Sequence, residues 1–317
     1  MVVSPKIFFK ECYGDYAIAA VNIFTMEQVH GLFAAAVRAD APFIVQLTPV
    51  ARNYAHPTML SSMIAAAAKI YPKAVFSVHL DHGNEEHVLG AIDSGDYQSV
   101  MIDASHEDFD TNVSRTRAMV QRAHRESIAV EAELGVLSGV EDDLKISEEH
   151  SSYTCPSEVV EFVEATQCDS LAVAVGTSHG AYKFSGGQGI QFDILGDIQR
   201  RLDGFPIVLH GGSAVNVEEI ERINAARGKL LANAAGVNPS EIVRSIEYGV
   251  CKINIATDTR LLWTRVHREY FRDYPELFDP IVPGKEYMKE YEWFMVQKFD
   301  LLRATGKATK IRKIIKQ

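Results

Sequence analysis

Long apolar runs are missing from this chain. Hydrophobic residues make up 47% of it, yet none of its stretches nears the about 20 consecutive apolar residues that a membrane-spanning helix needs. Cysteine is scarce: Cys12, Cys155, Cys168 and Cys251 are scattered, with neither a metal-type spacing nor a disulfide framework, and each reads as a reduced thiol. Positive charge is in deficit, 32 Lys and Arg against 42 Asp and Glu, for a net charge of -10. That balance argues against nucleic acid as a partner. It leaves a small phosphorylated ligand open, since backbone N–H groups and one or two local cations can hold a phosphate. Residues 1–13 lack the basic-then-apolar order of a secretory leader, so the expected location is the cytoplasm, with no membrane partner. Internal repeats and low-complexity segments are also missing, which excludes solenoids.

What is present alternates. Strands are expected at 17–21, 42–47, 74–80, 99–102, 128–134, 170–175, 206–209 and 252–255. Helical spacing falls between them at 26–38, with Thr25 as N-cap, at 57–70, opened by Pro57, and at 85–92, 111–123, 156–165, 192–202, 217–223 and 240–248, with a last stretch at 258–271. Strands separated by helices pair in parallel, and eight of them favour closure into a (β/α)8 TIM barrel over a doubly wound open sheet. A chain of 317 residues suits one such domain. Residues 136–153 are acidic and carry no apolar stripe, the mark of a mobile loop, either a functional lid or a disordered tip. A second irregular stretch is expected at 227–239. Residues 278–317 read as a C-terminal helical arm, with Met288, Tyr291, Phe294, Met295, Phe299 and Leu302 at helical spacing, able to bury against the barrel or a second subunit. The basic run 307–316 reads as a frayed, solvated helix end.

Polar residues gather where the strands should end. The third run closes on His79-Leu-Asp81-His82-Gly, the sixth leads into Thr177-Ser-His179-Gly180, the seventh into His210-Gly211-Gly212-Ser213, and the eighth carries Asn254 and Thr257. This is the pattern of a barrel's active face. Three histidines with an open fourth position suggest a catalytic zinc. Side chains alternate along a strand, so His79 and Asp81 share a face and His82 opposes them unless the strand stops near Leu80. His82 is therefore expected in the loop, and His79 as a packed, hydrogen-bonded core residue. The glycines after the seventh strand let backbone N–H groups approach an oxyanion, with Ser213 and Thr257 as further donors, where barrels often bind phosphate.

Together these motifs resemble the class II, metal-dependent ketose-bisphosphate aldolases. The likeness runs from about residue 16 to 307. It is densest in His79-Leu-Asp-His-Gly83, Ser99-Val-Met-Ile-Asp103-Ala-Ser-His106, Val130-Glu-Ala-Glu-Leu-Gly135, residues 169–180, Leu209-His-Gly-Gly-Ser213 and Lys252-Ile-Asn-Ile-Ala-Thr-Asp258. The resemblance implies a zinc ion held by His82, His179 and His210, with Glu133 and Asp103 as alternative or second-site ligands. It implies that zinc polarises the ketone of dihydroxyacetone phosphate and stabilises the enediolate, that Asp81 is the acid/base at the C4 oxygen, and that Glu141, on the acidic loop, moves the enediolate proton. Phosphate binding maps by the same likeness to Gly180, Gly211, Gly212, Ser213, Asn254 and Thr257. Lys183 helps there or holds a monovalent cation (Na+ or K+) through its backbone. Arg260 and a neighbouring subunit's Lys285 are candidates for the second phosphate, and Thr48 stands where relatives usually carry serine. The implied protein is a glycolytic lyase, a homodimer or homotetramer, that splits fructose 1,6-bisphosphate reversibly into dihydroxyacetone phosphate and glyceraldehyde 3-phosphate.

Several residues depart from the family pattern. Ala256 replaces an aspartate that many fructose-bisphosphate aldolases place near the sugar hydroxyls, and alanine there is seen among tagatose-bisphosphate enzymes, whereas the insertion 227–239 resembles the longer fructose enzymes. Val21-Asn-Ile-Phe24, Val50 and Cys155 also differ from the usual residues. Alternatives are therefore an aldolase for tagatose 1,6-bisphosphate or another phosphorylated ketose, a barrel metallohydrolase or epimerase, and a non-catalytic sugar-phosphate sensor. The missing His-x-His and the paired phosphate motifs speak against the hydrolase. The intact Asp81, His82, Glu141, His179 and His210 speak against the sensor.

Overall fold

A computed structural model of the chain describes residues 1–137, 139–141, 144–146, 151–178, 180, 189–230 and 236–316, with backbone alone for 140, 141 and 144–146. Ten strands are described: β1 Ile18–Asn22, β2 Phe43–Leu47, β3 Phe76–Gly83, β4 Ser99–Ile102, β5 Ala129–Leu134, β6 Gly139–Glu141, β7 Leu144–Ile146, β8 Ser170–Val173, β9 Ile207–Leu209 and β10 Val250–Ile255. All but β6 and β7 form one closed barrel in the order β1-β2-β3-β4-β5-β8-β9-β10, with β10 returning to β1. Every barrel pair is parallel, as in Ala20 opposite both Asn254 and Ile44. The eight expected strands are the eight of the barrel, and closure wins over an open sheet because β1 finds β10.

The helices cover the outside: α1 Pro5–Cys12, α2 Met26–Ala39, α3 Pro49–Ala55, α4 Pro57–Ile70, α5 Glu85–Ser94, α6 Phe109–His124, α7 Val159–Thr166, α8 Phe192–Arg201, α9 Val217–Ala225, α10 Pro239–Ser245 with a 3-10 turn at Ile246–Tyr248, and α11 Thr257–Asp273. Capping explains several starts. Thr25 forms a full capping box with Gln28 at the head of α2, and Asn84 accepts the His87 N–H at the head of α5. The arm is α12 Ile281–Leu301 and α13 Ala308–Ile315. Tyr287, Tyr291, Met295 and Phe299 bury its inner face, and α12 lies along α2.

Three expectations change. First, β3 does not stop near Leu80 but continues to Gly83, with a register shift against β4 between Leu80 and Gly83. His82 sits on that irregularity at φ +49, so it escapes strict alternation without leaving the strand. Second, the stretch 136–153 is not without structure: β6 and β7 pair as an antiparallel hairpin, and Val136 bridges Ser152. Third, the basic tail is no frayed end. Ala308 and Ile311 are buried, Lys310 pairs with Glu11 at 2.8 Å, Lys307 with Asp15 at 2.6 Å, and Arg312 with Asp40. The short helices α1 and α3 carry no periodic signal long enough to announce them.

Candidate active site

The C-terminal ends of the barrel strands gather a polar cluster. Asp81, fully buried on β3, accepts three amide N–H bonds: from Asn22 at 2.8 Å and Gln46 at 3.3 Å on Oδ2, and from Asn254 at 3.2 Å on Oδ1. Gln46 also donates to Asn22 Oδ1 at 3.0 Å, so three strands fix the carboxylate's direction. Asn254, grouped with phosphate ligands by the family likeness, turns its amide to Asp81.

Next to Asp81, the bulge points His82 across the barrel mouth. Its Nδ1 lies 2.7 Å from Asp103 Oδ2, and its Nε2 lies 2.9 Å from His210 Nδ1. His210, fully buried, sets its Nε2 2.9 Å from Glu131 Oε1. A carboxylate only accepts, so each ring carries its proton on the nitrogen facing the acid. Two neutral rings so fixed aim lone pairs at one another across 2.9 Å. A shared cation relieves that opposition, and a histidine held in this way by a carboxylate is the usual second layer of a metal site. Ligand atoms of Asp81, His82 and His210 lie within 4.8 Å of one another, as do those of His82, Asp103 and Glu133. The residues present therefore fit a divalent metal.

The electrostatics agree. Burial alone would raise Asp103, but the hydrogen bond from His82 and two from Ser105 outweigh it and hold the carboxyl well below its ordinary range. Glu131 behaves alike: burial is overcome by the Lys252 ammonium, 2.8 and 3.0 Å from its two oxygens, and by the hydrogen bond from His210. Burial, with the Lys252 charge, keeps His79 neutral, and its Nδ1 meets Ser99 Oγ at 2.8 Å. His79 is thus the packed, hydrogen-bonded core histidine its parity suggested. Burial likewise lowers His210, against the pull of Glu131.

Gly211, Gly212 and Ser213 follow β9 beside these rings. Gly211 takes φ +64, and a Cβ there would meet Ser178 O at 2.5 Å, while at Gly212 a Cβ would meet Ile253 Cγ2 at 2.5 Å. Only glycines fit so tight a passage. Ser213 Oγ accepts the Asp258 N–H at 3.4 Å at the start of α11, whose first residue is Thr257. Arg260 stacks on Phe24. Thr48 is buried and caps α3 through Ala51 N–H at 3.2 Å. Gly180 is described at φ +84. Lys285 lies on α12 in a groove it shares with Arg265, Glu269 and Lys289, apart from the mouth residues. His179, Lys183 and the Glu141 side chain lie outside what is described; the Glu141 backbone belongs to β6. Residues not singled out from the chain were Asn22, Gln46, Glu131, Lys252, Asp258 and Lys298. The available signal was parity: Glu131 shares its strand face with Glu133, and Lys252 with Asn254.

Comparison with known proteins agrees with this geometry. A family model described as fructose-bisphosphate aldolase class-II matches residues 5–307. The chain is 40% identical over 284 residues to the fructose-bisphosphate aldolase of Giardia intestinalis, covering 87% of this chain and 85% of that one. It is 38% identical over 312 residues to that of Thermus caldophilus, covering 97% and 100%. The crystal structure of the YdjI aldolase from Escherichia coli K12 matches with a TM-score of 0.76 at 26% identity, over 97% of this chain and 100% of that one. A barrel whose mouth pairs two carboxylate-backed imidazoles with a fixed aspartate, and whose length is matched end to end by such enzymes, belongs to the class-II fructose-bisphosphate aldolase family.

Proposed function

We propose that this class II lyase cleaves fructose 1,6-bisphosphate reversibly to dihydroxyacetone phosphate and glyceraldehyde 3-phosphate, with zinc as its metal. The observation that carries the reading is the opposed pair His82 Nε2 and His210 Nδ1 beside the triply hydrogen-bonded Asp81. His82 and His210, joined by His179, would hold the ion, with Asp103 and Glu133 near it. When bound, zinc supplies a Lewis acid that draws electron density from a ketone carbonyl.

The chain's own groups do the rest. In cleavage, Asp81 takes the proton of the C4 hydroxyl as the C3–C4 bond breaks and C4 becomes an aldehyde carbonyl; in condensation it returns that proton. Its three amide donors hold the carboxylate in one orientation. Glu141, on the β6–β7 hairpin, removes the C3 proton as a carboxylate in condensation and, as the carboxylic acid so formed, returns it to C3 in cleavage once the aldehyde has left. Gly180, Gly211, Gly212 and Ser213, with Thr257 at the N-terminus of the 17-residue α11, would hold one phosphate. Lys183, or a sodium or potassium ion, would assist, and Arg260 and a neighbour's Lys285 would meet the other phosphate. A cytoplasmic homodimer or homotetramer working in glycolysis suits this chemistry.

A second reading is tagatose 1,6-bisphosphate. Ala256 favours it: the residue occupies the N-cap of α11 and makes no side-chain hydrogen bond, so no carboxylate there selects among sugar hydroxyls. Parallel cleavage assays on both sugars with zinc present test the two. The main reading expects kcat/KM for the fructose sugar to exceed that for tagatose by about tenfold or more, the scale of one buried polar contact. The reverse order would transfer the assignment, and cleavage of neither would overturn both.

A further inference from the structure

Asp258 has no part in the chemistry above, yet it is buried beside the glycine loop. Its Oδ1 accepts the Val215 N–H at 2.8 Å, and its Oδ2 accepts the Ala214 N–H at 3.1 Å. Its own N–H donates to Ser213 Oγ at 3.4 Å. The end of the glycine loop and the first turn of α11 are therefore bolted together by one residue. The bolt holds a strained piece of chain: Val215 sits at φ +49, which a β-branched side chain resists, with its side chain buried against Ile220, Ile223 and Leu261.

The fourth contact comes from far along the chain. Lys298, on α12, reaches Asp258 Oδ2 at 2.7 Å, and its ammonium lies 5.1 Å from the centre of the Phe294 ring. An unneutralised carboxylate at this spot, 6% exposed, would repel any oxyanion entering the adjoining loop. With Lys298 in place, the carboxylate anchors two backbone N–H groups and presents little net charge.

We propose that Lys298 is a positioning residue for the phosphate loop: acting through Asp258, it fixes the 213–215 segment and cancels a charge that would oppose a phosphate. The helical arm thereby sets affinity for the phosphate end of the substrate. The inference rests on the reading that residues 211–213 and the head of α11 hold a phosphate.

The test uses the full-length, zinc-loaded protein with inorganic phosphate as probe. Lys298→Met is expected to raise both the KM for fructose 1,6-bisphosphate and the inhibition constant of inorganic phosphate by about tenfold, with kcat within about threefold, the signature of lost uniform binding. Lys298→Arg should restore both to within about threefold of the native values. With Lys298 acting on the loop through Asp258, Lys298→Met added to Asp258→Asn should change KM by less than about twofold over Asp258→Asn alone. That double variant carries no unpaired buried charge and keeps the test open if Lys298→Met does not fold. Native KM and inhibition constant in Lys298→Met would overturn the proposal. So would a loss confined to kcat and melting temperature, or effects of the two substitutions that multiply. Thermal shift by inorganic phosphate separates the two layers. If the native protein cleaves no ketose bisphosphate but phosphate still stabilises it and not Lys298→Met, the aldolase reading fails and this inference holds. If cleavage proceeds while phosphate stabilises both proteins equally, the reverse is true.

Discussion

Replacing Lys252 by methionine removes the ammonium and keeps most of the stem. In the native chain, Lys252 Nζ lies 2.8 and 3.0 Å from the Glu131 oxygens and 3.3 Å from His79 Nε2, with Lys252 0% and Glu131 2% exposed. The substitution leaves a carboxylate in the barrel core with His210 as its remaining hydrogen-bond donor among the described residues. Breaking a buried pair from one side costs about 3–5 kcal/mol. Unfolding entropy over 317 residues comes to roughly 0.7 kcal/mol/K, so the melting temperature should fall by about 4–8 °C. A second effect follows from the first. Without Lys252, burial dominates and drives Glu131 toward the neutral acid, which no longer obliges His210 to keep its proton on Nε2. Zinc affinity should then drop about 10–100-fold, the usual effect of losing an outer-layer partner. Thermal unfolding of metal-free protein by near-UV circular dichroism reads the first effect, and competition with a chromophoric chelator reads the second. Adding Glu131→Gln should recover most of the stability but not the metal affinity. A Lys252→Met protein that melts within about 1 °C of the native one and binds zinc equally well would refute the reasoning.

Asp81→Asn keeps the size of the side chain but removes the proton acceptor. Its kcat for fructose 1,6-bisphosphate cleavage should fall about 100-fold or more with little change in KM, followed by enzymatic reduction of the dihydroxyacetone phosphate released. A raised KM with native kcat would argue against proton transfer at this residue. The docking of α13 should respond to acid. Burial alone would raise Asp40, but bonds from Thr309 and Arg312 hold its carboxyl below the ordinary value. A depressed carboxyl stabilises fully above its unfolded value, about 3.9, and loses that contribution as pH falls through the folded one. Hydrogen-exchange protection of residues 308–316 should therefore hold from neutral pH to about pH 4 and decline below it. Protection unchanged at about pH 2.5 would contradict the assignment.

The barrel was readable because its strands are short apolar runs set between helices with marked starts, such as Thr25 before α2 and Pro57 within the first turn of α4. Closure follows from number and order, which the chain displays. The site was readable in part. His82, Asp81 and His210 stand out as polar residues at strand ends. The bulge that turns His82 inward is a backbone event with no residue signature, so parity placed that histidine in a loop. Glu131 and Lys252 lie inside apolar strands where a charge looks like an interruption; only the closed barrel reveals that they face each other. Lys298 is harder still, since nothing local in α12 points to Asp258, 40 residues earlier. The docking of the tail is hidden for a similar reason: its acidic partners Glu11, Asp15 and Asp40 come from the far end of the chain.

A metal held between the opposed imidazoles of His82 and His210 is the centre of the site. Elemental mass spectrometry on protein dialysed against limiting zinc measures this directly, in the native chain and in His82→Ala and His210→Ala. About one tightly held zinc ion per native chain, and close to none in either variant, is the result expected of a catalytic site built on histidines. Equal zinc in all three proteins would contradict it.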